Sequence, residues 1–213
     1  MGSELGKIIN MINLNKYQLS ALAGMILGDG YLQKTGKKNA RLRLEHAEKY
    51  KDYLLWKISL LPRLFQGKPK VIERIHPQTK NKYSFVRAQS NSSPFLGKLR
   101  RIFYPENKKV ISEKVEKLLI HPVGYVIWYY DDGSWYERDK ISYLSLGLVD
   151  QNSALNAKNI WERLLKNQIG LKDKKEKGFE IIFNNKEVLK KLRKILYWYQ
   201  FESLIYKIPK LAP

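Results

Sequence analysis

The chain has 213 residues, with 40 Lys and Arg against 20 Asp and Glu, giving a net charge of +20 and a pI near 9.9. It has no cysteine, which excludes disulfide scaffolds, thiolate metal sites and thiol nucleophiles, and no apolar run approaches the roughly 20 residues that span a bilayer. With 44% hydrophobic and 12% aromatic residues it can build a packed core as one large domain or two small ones, unlike a disordered basic tail.

The start, MGSELGKIIN, lacks the apolar stretch of a secretory signal, and Gly6 stands where a myristoylation pattern needs Ser or Thr. Gly2-Ser3 reads as a cloning remnant. Small and aliphatic residues predict a helix over 17–28. Strict alternation in Arg41-Leu42-Arg43-Leu44-Glu45 predicts a strand with Arg41, Arg43 and Glu45 on one face, entered through the turn at 34–39. Leu54, Ile58, Leu61 and Phe65 recur at helical spacing, with Pro62 near the end. Strands are predicted over 69–75 and 82–88 around the turn 76–81, then a helix over 95–103 and a short one over 112–120. The second half repeats this plan. It has a helix over 123–131, a strand marked by Leu144, Leu146 and Leu148, and a helix over 154–167. A short hairpin turns near Gly178 with Phe179, Ile181 and Phe183 on one face of its return strand, and a last helix carries Val188, Leu192, Ile195 and Tyr199.

Internal similarity supports this duplication. Asp29-Gly30 recurs as Asp132-Gly133, Trp56 as Trp161, and the run Lys98–Tyr104 as Lys191–Tyr197. The offsets are 103, 105 and 93, so the second half is 12 residues shorter between its Trp helix and its last helix. A longer second hairpin in the first half is the expected source. The fold class is therefore α+β, two pseudo-symmetric αββαββα halves over 1–107 and 108–213.

So large a positive excess points first to nucleic acid and second to an anionic membrane surface. A plain lysine bias is the bland alternative, since Lys outnumbers Arg 30 to 10. The charge is spread through the chain: residues 1–107 carry 20 basic and 7 acidic side chains, and 108–213 carry 20 and 13. That suits a binding surface built across the whole fold.

Two motifs carry the chemistry. In Ala21–Tyr31, the small residues Ala23, Gly24 and Gly28 share a helix face and permit close helix–helix approach. Asp29 then falls at the helix C-terminus, where the macrodipole is already negative. In Tyr125–Gly133 the placement recurs with Asp131 and Asp132. Either Asp-Gly pair alone reads as an ordinary helix stop. The duplication and the basic surroundings favour divalent-metal binding. The histidines His46, His76 and His121 show no zinc-ligand or nuclease spacing. His46 reads as a strand-end residue, and the two His-Pro pairs read as turns.

Leu22-Ala23-Gly24-Met25-Ile26-Leu27-Gly28-Asp29-Gly30 resembles the LAGLIDADG signature of homing endonucleases. Ile127–Ser134 resembles the second signature of the single-chain, two-motif members. The first motif departs at Leu27 and Gly28; the second keeps the Asp-Gly end and an aromatic-rich helix. The resemblance implies a monomer with pseudo-twofold symmetry, whose two motif helices pack together and whose curved antiparallel sheets form a saddle on duplex DNA. It implies that Asp29 and Asp132 hold divalent ions, with the backbone carbonyls of Gly28 and Asp131 as further ligands. Mg2+ would be the working ion, with Mn2+ substituting and Ca2+ binding without supporting cleavage. In-line attack of water on each strand across the minor groove would give a double-strand break with short 3′ extensions.

The resemblance further implies a basic residue beside each acid. Lys109 and Lys207 follow the two related helices, with Lys108 as the alternative in the first half. For DNA contacts it points to Arg41 and Arg43 and, behind them, Lys34, Lys37, Lys38, Lys70, Arg74, Lys80, Lys82, Arg87, Arg138, Lys140, Lys172 and Lys174. Many of these would touch phosphate and fix register without reading sequence. The expected partner is a long specific DNA duplex, with intron RNA as a further one and no membrane, in the cytoplasm of a prokaryote or an organelle. A length of 213 residues leaves no room for a protein-splicing domain. The same scaffold serves non-cleaving RNA maturases, which tend to lose one acid or the basic pair. Here both acids and both lysines are present. A basic RNA- or ribosome-binding protein, with Asp29 and Asp132 as helix stops, is the remaining reading.

Overall fold

The computed structural model describes residues 13–211, so the amino-terminal stretch read above for targeting signals lies outside it. The first half runs α1 (Lys16–Leu27), β1 (Tyr31–Lys34), β2 (Ala40–Ala47), α2 (Lys51–Ser59), β3 (Lys70–Ile75), β4 (Lys82–Gln89) and α3 (Pro94–Phe103). A single turn, α4 (Glu113–Glu116), leads to the second half: α5 (Pro122–Asp132), β5 (Gly133–Tyr136), β6 (Ile141–Gly147), α6 (Gln151–Leu165), β7 (Gly170–Asp173), β8 (Phe179–Phe183) and α7 (Lys186–Tyr197). Each half forms one four-stranded antiparallel sheet, ordered β1-β2-β4-β3 and β5-β6-β8-β7.

Helices α1 and α5 form the seam. Asn15 starts α1 through a reciprocal capping box with Gln18. His121 caps α5, its Nδ1 accepting the Val123 N–H, and Pro122 occupies the first turn, where its missing N–H costs nothing. The two helices meet backbone on backbone, since a Cβ added at Gly24 would overlap the carbonyl of Gly124. Ser20 Oγ pins the contact, donating to the His121 carbonyl at 2.7 Å and accepting the His121 N–H at 3.2 Å. Because both helices run in the same sense to an Asp-Gly end, this seam fixes the two acid motifs beside each other.

The sheets complete the core through strand alternation. Leu42 and Leu44 of β2 are buried against the helices, as are Ile181 and Phe183 of β8. Trp161 sits edge-on to both Phe183 and Tyr125.

Several boundaries differ from the sequence reading. Helix α2 stops at Ser59, so Leu61 and Phe65 pack into the core from the connection that follows. Pro62 disfavours helical backbone at the residue before it. The short helix expected over 112–120 is the single turn Glu113–Glu116. Strand β6 ends at Gly147, with a bulge after Ser145 and a left-handed φ of 66° at the glycine, and Leu148 is 79% exposed. The 12-residue shortening has two sources rather than one. The hairpin Lys70–Gln89 is six residues longer than Gly170–Phe183, and most of the rest lies in the longer connection that leads from α2 into β3.

Candidate active site and nucleic-acid interface

Asp29 and Asp132 lie just beyond and at the ends of the two seam helices, each followed by glycine. Burial, reinforced by the Asp131 charge, raises the pKa of Asp29 above the ordinary carboxyl range. Asp132 goes further, pushed up to about 7 chiefly by burial, with Asp131 and Asp29 adding to the push and Lys109 opposing it. Two neighbouring carboxyls whose pKa values are both raised, each in part by the Asp131 charge, form a site that favours added positive charge.

The two lysines repeat each other's role. Lys109 Nζ donates to the carbonyls of Leu27 and Gly28 at the end of α1. Lys207 Nζ donates to the carbonyls of Tyr130, at 2.6 Å, and Asp131, at 3.1 Å, at the end of α5. Leu27 and Gly28 stand to Asp29 as Tyr130 and Asp131 stand to Asp132, so the arrangement is the same in both halves. Each cation meets the negative end of a helix dipole. Burial lowers both lysine pKa values, against the pull of the three aspartates. Lys108, the alternative in the first half, is exposed and outside this cluster.

The Gly28 and Asp131 carbonyls, expected as metal ligands, are thus hydrogen-bonded to lysines. The Asp131 side chain is wholly buried and turned away from such a role. It accepts from Lys57 Nζ at 2.8 and 2.9 Å, from Tyr53 Oη at 2.9 Å and from the Asp29 N–H at 3.0 Å. Burial would raise its pKa, but the Lys57 charge, helped by His46 and these hydrogen bonds, brings it below the ordinary range. Breaking such a pair by removing one partner costs about 3–5 kcal/mol. His46 is buried beside it, its pKa lowered to about 4 by desolvation and the Lys57 charge, so the ring is neutral at physiological pH. Asp29, His46 and Asp131 offer ligand atoms within 4.8 Å of one another. Lys57 already holds two members of that trio, which leaves Asp29 and Asp132 as the carboxylates free to take a hard, oxygen-preferring divalent cation.

Sequence reasoning missed Lys57, Tyr53 and His46 as parts of this centre. Tyr53 and Lys57 are four residues apart on α2 and so share a face. That periodicity was the one available sign that this lysine points inward.

Alternation places the remaining basic candidates. The sheet face opposite the helices carries Arg41 and Arg43 on β2, Lys70 and Arg74 on β3, and Arg87 on β4. Glu45 ties three of them, accepting from Arg87 at 2.6 Å, from Arg74 at 2.5 Å and from Arg43 at 3.1 Å. Those arginines lower the Glu45 pKa despite its partial burial. Lys37, Lys38 and Lys80 lie in exposed turns at the strand ends. Lys34 and Lys82 share the helix-side alternation of Leu32 and Val86, beyond the buried part of the sheet. The second sheet is less basic on its open face, where Lys172 opposes Glu180. Lys174, just past β7, pairs with Glu180 at 3.0 Å. Arg138 and Lys140 lie in the β5–β6 turn, Arg138 paired with Asp139 at 2.7 Å. Among the described residues no helix is long and apolar enough to cross a membrane.

The model of the LAGLIDADG DNA endonuclease family matches residues 19–192. The chain belongs to this family. Its two-sheet fold is that of the homing endonuclease I-WcaI, solved bound to its DNA recognition sequence, at a TM-score of 0.80 and 22% identity over 98% of this chain and 94% of that one. A probable intron-encoded endonuclease of Wickerhamomyces canadensis is 29% identical over 127 residues, 60% of this chain and 54% of that protein. A RecA protein of Mycolicibacterium flavescens is 32% identical over 130 residues, 60% of this chain and 28% of that protein. The chain thus spans little more than a quarter of the RecA relative and about half of the endonuclease. As a LAGLIDADG protein, it carries the family's motif helices as α1 and α5, and the acids at their ends are Asp29 and Asp132.

Proposed function

We propose that this LAGLIDADG protein is a site-specific DNA endonuclease that makes a divalent-metal-dependent double-strand break and leaves short 3′ extensions. The observation that carries the reading is the paired arrangement at the seam: two partly desolvated aspartates at adjoining helix ends, each with a half-buried lysine on the preceding carbonyls. A helix stop needs neither a raised carboxyl pKa nor a half-buried ammonium on its last carbonyls, and both features recur at related positions.

In this reading residues 1–107 and 108–213 are the two half-sites of a monomer, acting on one strand each. Asp29 and Asp132 hold Mg2+, with Mn2+ as a substitute and Ca2+ as a non-productive occupant. The bound ion would supply charge for the scissile phosphate and a more acidic water. The protein's own part is positional and electrostatic. Lys109 and Lys207 fix the helix ends that carry the acids and place positive charge beside the developing anion. The seam glycines keep the two acids close enough for one centre. Arg41, Arg43, Arg74 and Arg87 give the first half its base-reading face, and the turn lysines and Arg138 meet phosphates on either side.

Selection of cut sites from a randomised duplex library with Mg2+, against a Ca2+ control, tests this. Asp29→Asn and Asp132→Asn are expected to abolish cutting while binding survives. Full double-strand cleavage by both variants would overturn the assignment.

A further inference from the structure

The two half-sites are not equally supported. In the first, a buried polar chain runs from Asp131 through Lys57 to His46 and ends on Asp29. Lys57 Nζ is 2.8 Å from Asp131 and 3.0 Å from His46 Nε2. An ammonium only donates, so His46 Nε2 must accept and the ring proton must sit on Nδ1. That Nδ1 faces Asp29 Oδ2 at 3.5 Å. Asp131 meanwhile accepts the Asp29 backbone N–H at 3.0 Å. One network therefore reaches both the main chain and the carboxylate of Asp29.

The second half cannot build it. Strand register pairs Tyr31 with Arg43 and Gly133 with Leu144, which sets Leu146 in the place of His46. The motif alignment sets Gly28 in the place of Asp131, and the helix alignment sets Glu162 in the place of Lys57. Glu162 is engaged elsewhere, accepting the Ile169 N–H at 3.0 Å and pairing with Lys158 at 3.3 Å. Leu146 and Gly28 have no polar side-chain atoms, so Asp132 has no hydrogen-bonded support of this kind.

We propose that His46, held by Lys57 and Asp131, is a positioning residue for Asp29 alone, so that its loss slows the cutting of one DNA strand and spares the other. The proposal rests on the endonuclease reading. Groups that orient a metal-binding carboxylate from behind typically affect affinity or rate by about 10–100-fold.

The test uses the full chain and a selected target duplex labelled separately on each strand. His46→Leu installs the residue of the second half, and His46→Asn restores an N–H donor near the Nδ1 position. His46→Leu is expected to slow nicking of one strand by about 10–100-fold while the other changes less than about twofold, and His46→Asn is expected to recover most of the loss. Mn2+ titration of the DNA-bound protein should show weakened binding of one ion in His46→Leu. Nitrogen NMR of the metal-free wild type should show a neutral His46 ring protonated on Nδ1. Equal slowing of both strands, no slowing of either, or a proton on Nε2 would overturn the proposal. A wild type that cuts no duplex would instead overturn the endonuclease reading and with it the strand assignment; the tautomer is read on the same sample without any cutting.

Discussion

The seam between α1 and α5 makes a quantitative demand on Gly124. A Cβ built there would lie 2.5 Å from the Ser20 carbonyl oxygen, 2.6 Å from Ser20 Oγ and 2.7 Å from Leu119 Cδ2. Ordinary contact begins at 3.4 Å, so Gly124→Ala must part the helices by about 0.9 Å or distort one of them. Overpacking of this kind costs about 1–3 kcal/mol, toward the upper end here because backbone is among the atoms met. Alanine returns about 1 kcal/mol of helix propensity. The net expectation is a loss of about 1–2 kcal/mol, or a melting temperature lower by roughly 2–8 °C for a chain of this size. Cutting should suffer more than stability, because a shift near 1 Å between reacting groups costs on the order of 100-fold. Thermal unfolding and single-turnover cleavage read the two effects separately. Gly36→Ala, where an added Cβ meets nothing within 4 Å, is the neutral control. A Gly124→Ala protein as stable as wild type, or stabilised as propensity alone would have it, would refute the backbone-on-backbone seam.

Two other outcomes follow from the electrostatics. Because the Asp132 pKa is raised from 3.8 to about 7, the folded state binds that proton more tightly than the unfolded state, and the contribution to stability is lost as pH rises through 7. In the metal-free protein Asp132→Asn should therefore raise the melting temperature at pH 8, with the gain shrinking steadily toward pH 4. A gain independent of pH would contradict this. Glu45→Gln removes the charge that gathers Arg43, Arg74 and Arg87, so non-specific DNA binding should tighten and its salt dependence steepen while preference at one or two base pairs relaxes. Unchanged salt dependence and preference, measured by titration at several ionic strengths, would place these arginines away from DNA.

Much of this architecture is local in the sequence and was readable there. The small residues of α1, the alternation that puts Arg41 and Arg43 opposite Leu42 and Leu44, and the duplicated Asp-Gly ends are short-range patterns that survive folding. What escaped depends on distant partners. Lys57 is one of 30 lysines, and nothing within its own helix announces that it meets Asp131, 74 residues away. His46 lies near the end of a strand, as its position suggests, but its neighbours come from α2, from just beyond α1 and from the last turn of α5. Gly124 matters because Gly24 and Ser20, 100 and 104 positions earlier in the chain, face it. Leu148 continued an alternating pattern and still lies outside the core, because a bulge and a left-handed glycine broke the strand first.

Duplication finds equivalent positions, and it is least informative where the two copies have diverged. Asp29 and Asp132 align, yet one is backed by His46, Lys57 and Asp131, while the other sits beside Leu146 with its carboxyl pushed up to about 7. The basic faces diverge in the same sense, since the first sheet carries four arginines on its open side and the second carries Lys172 opposed by Glu180. A homodimer could not make such a division, because every change would appear in both copies. Placing both halves in one chain lets each acid acquire its own surroundings under one fixed seam, and the half with the most basic face is also the half whose acid has its backbone N–H held by Asp131 and its carboxylate faced by His46. The basic face, His46 and Lys57 thus lie in the same half as Asp29, with Asp131 reaching across the seam, and in the endonuclease reading that arrangement would suit an ordered rather than simultaneous action on two strands.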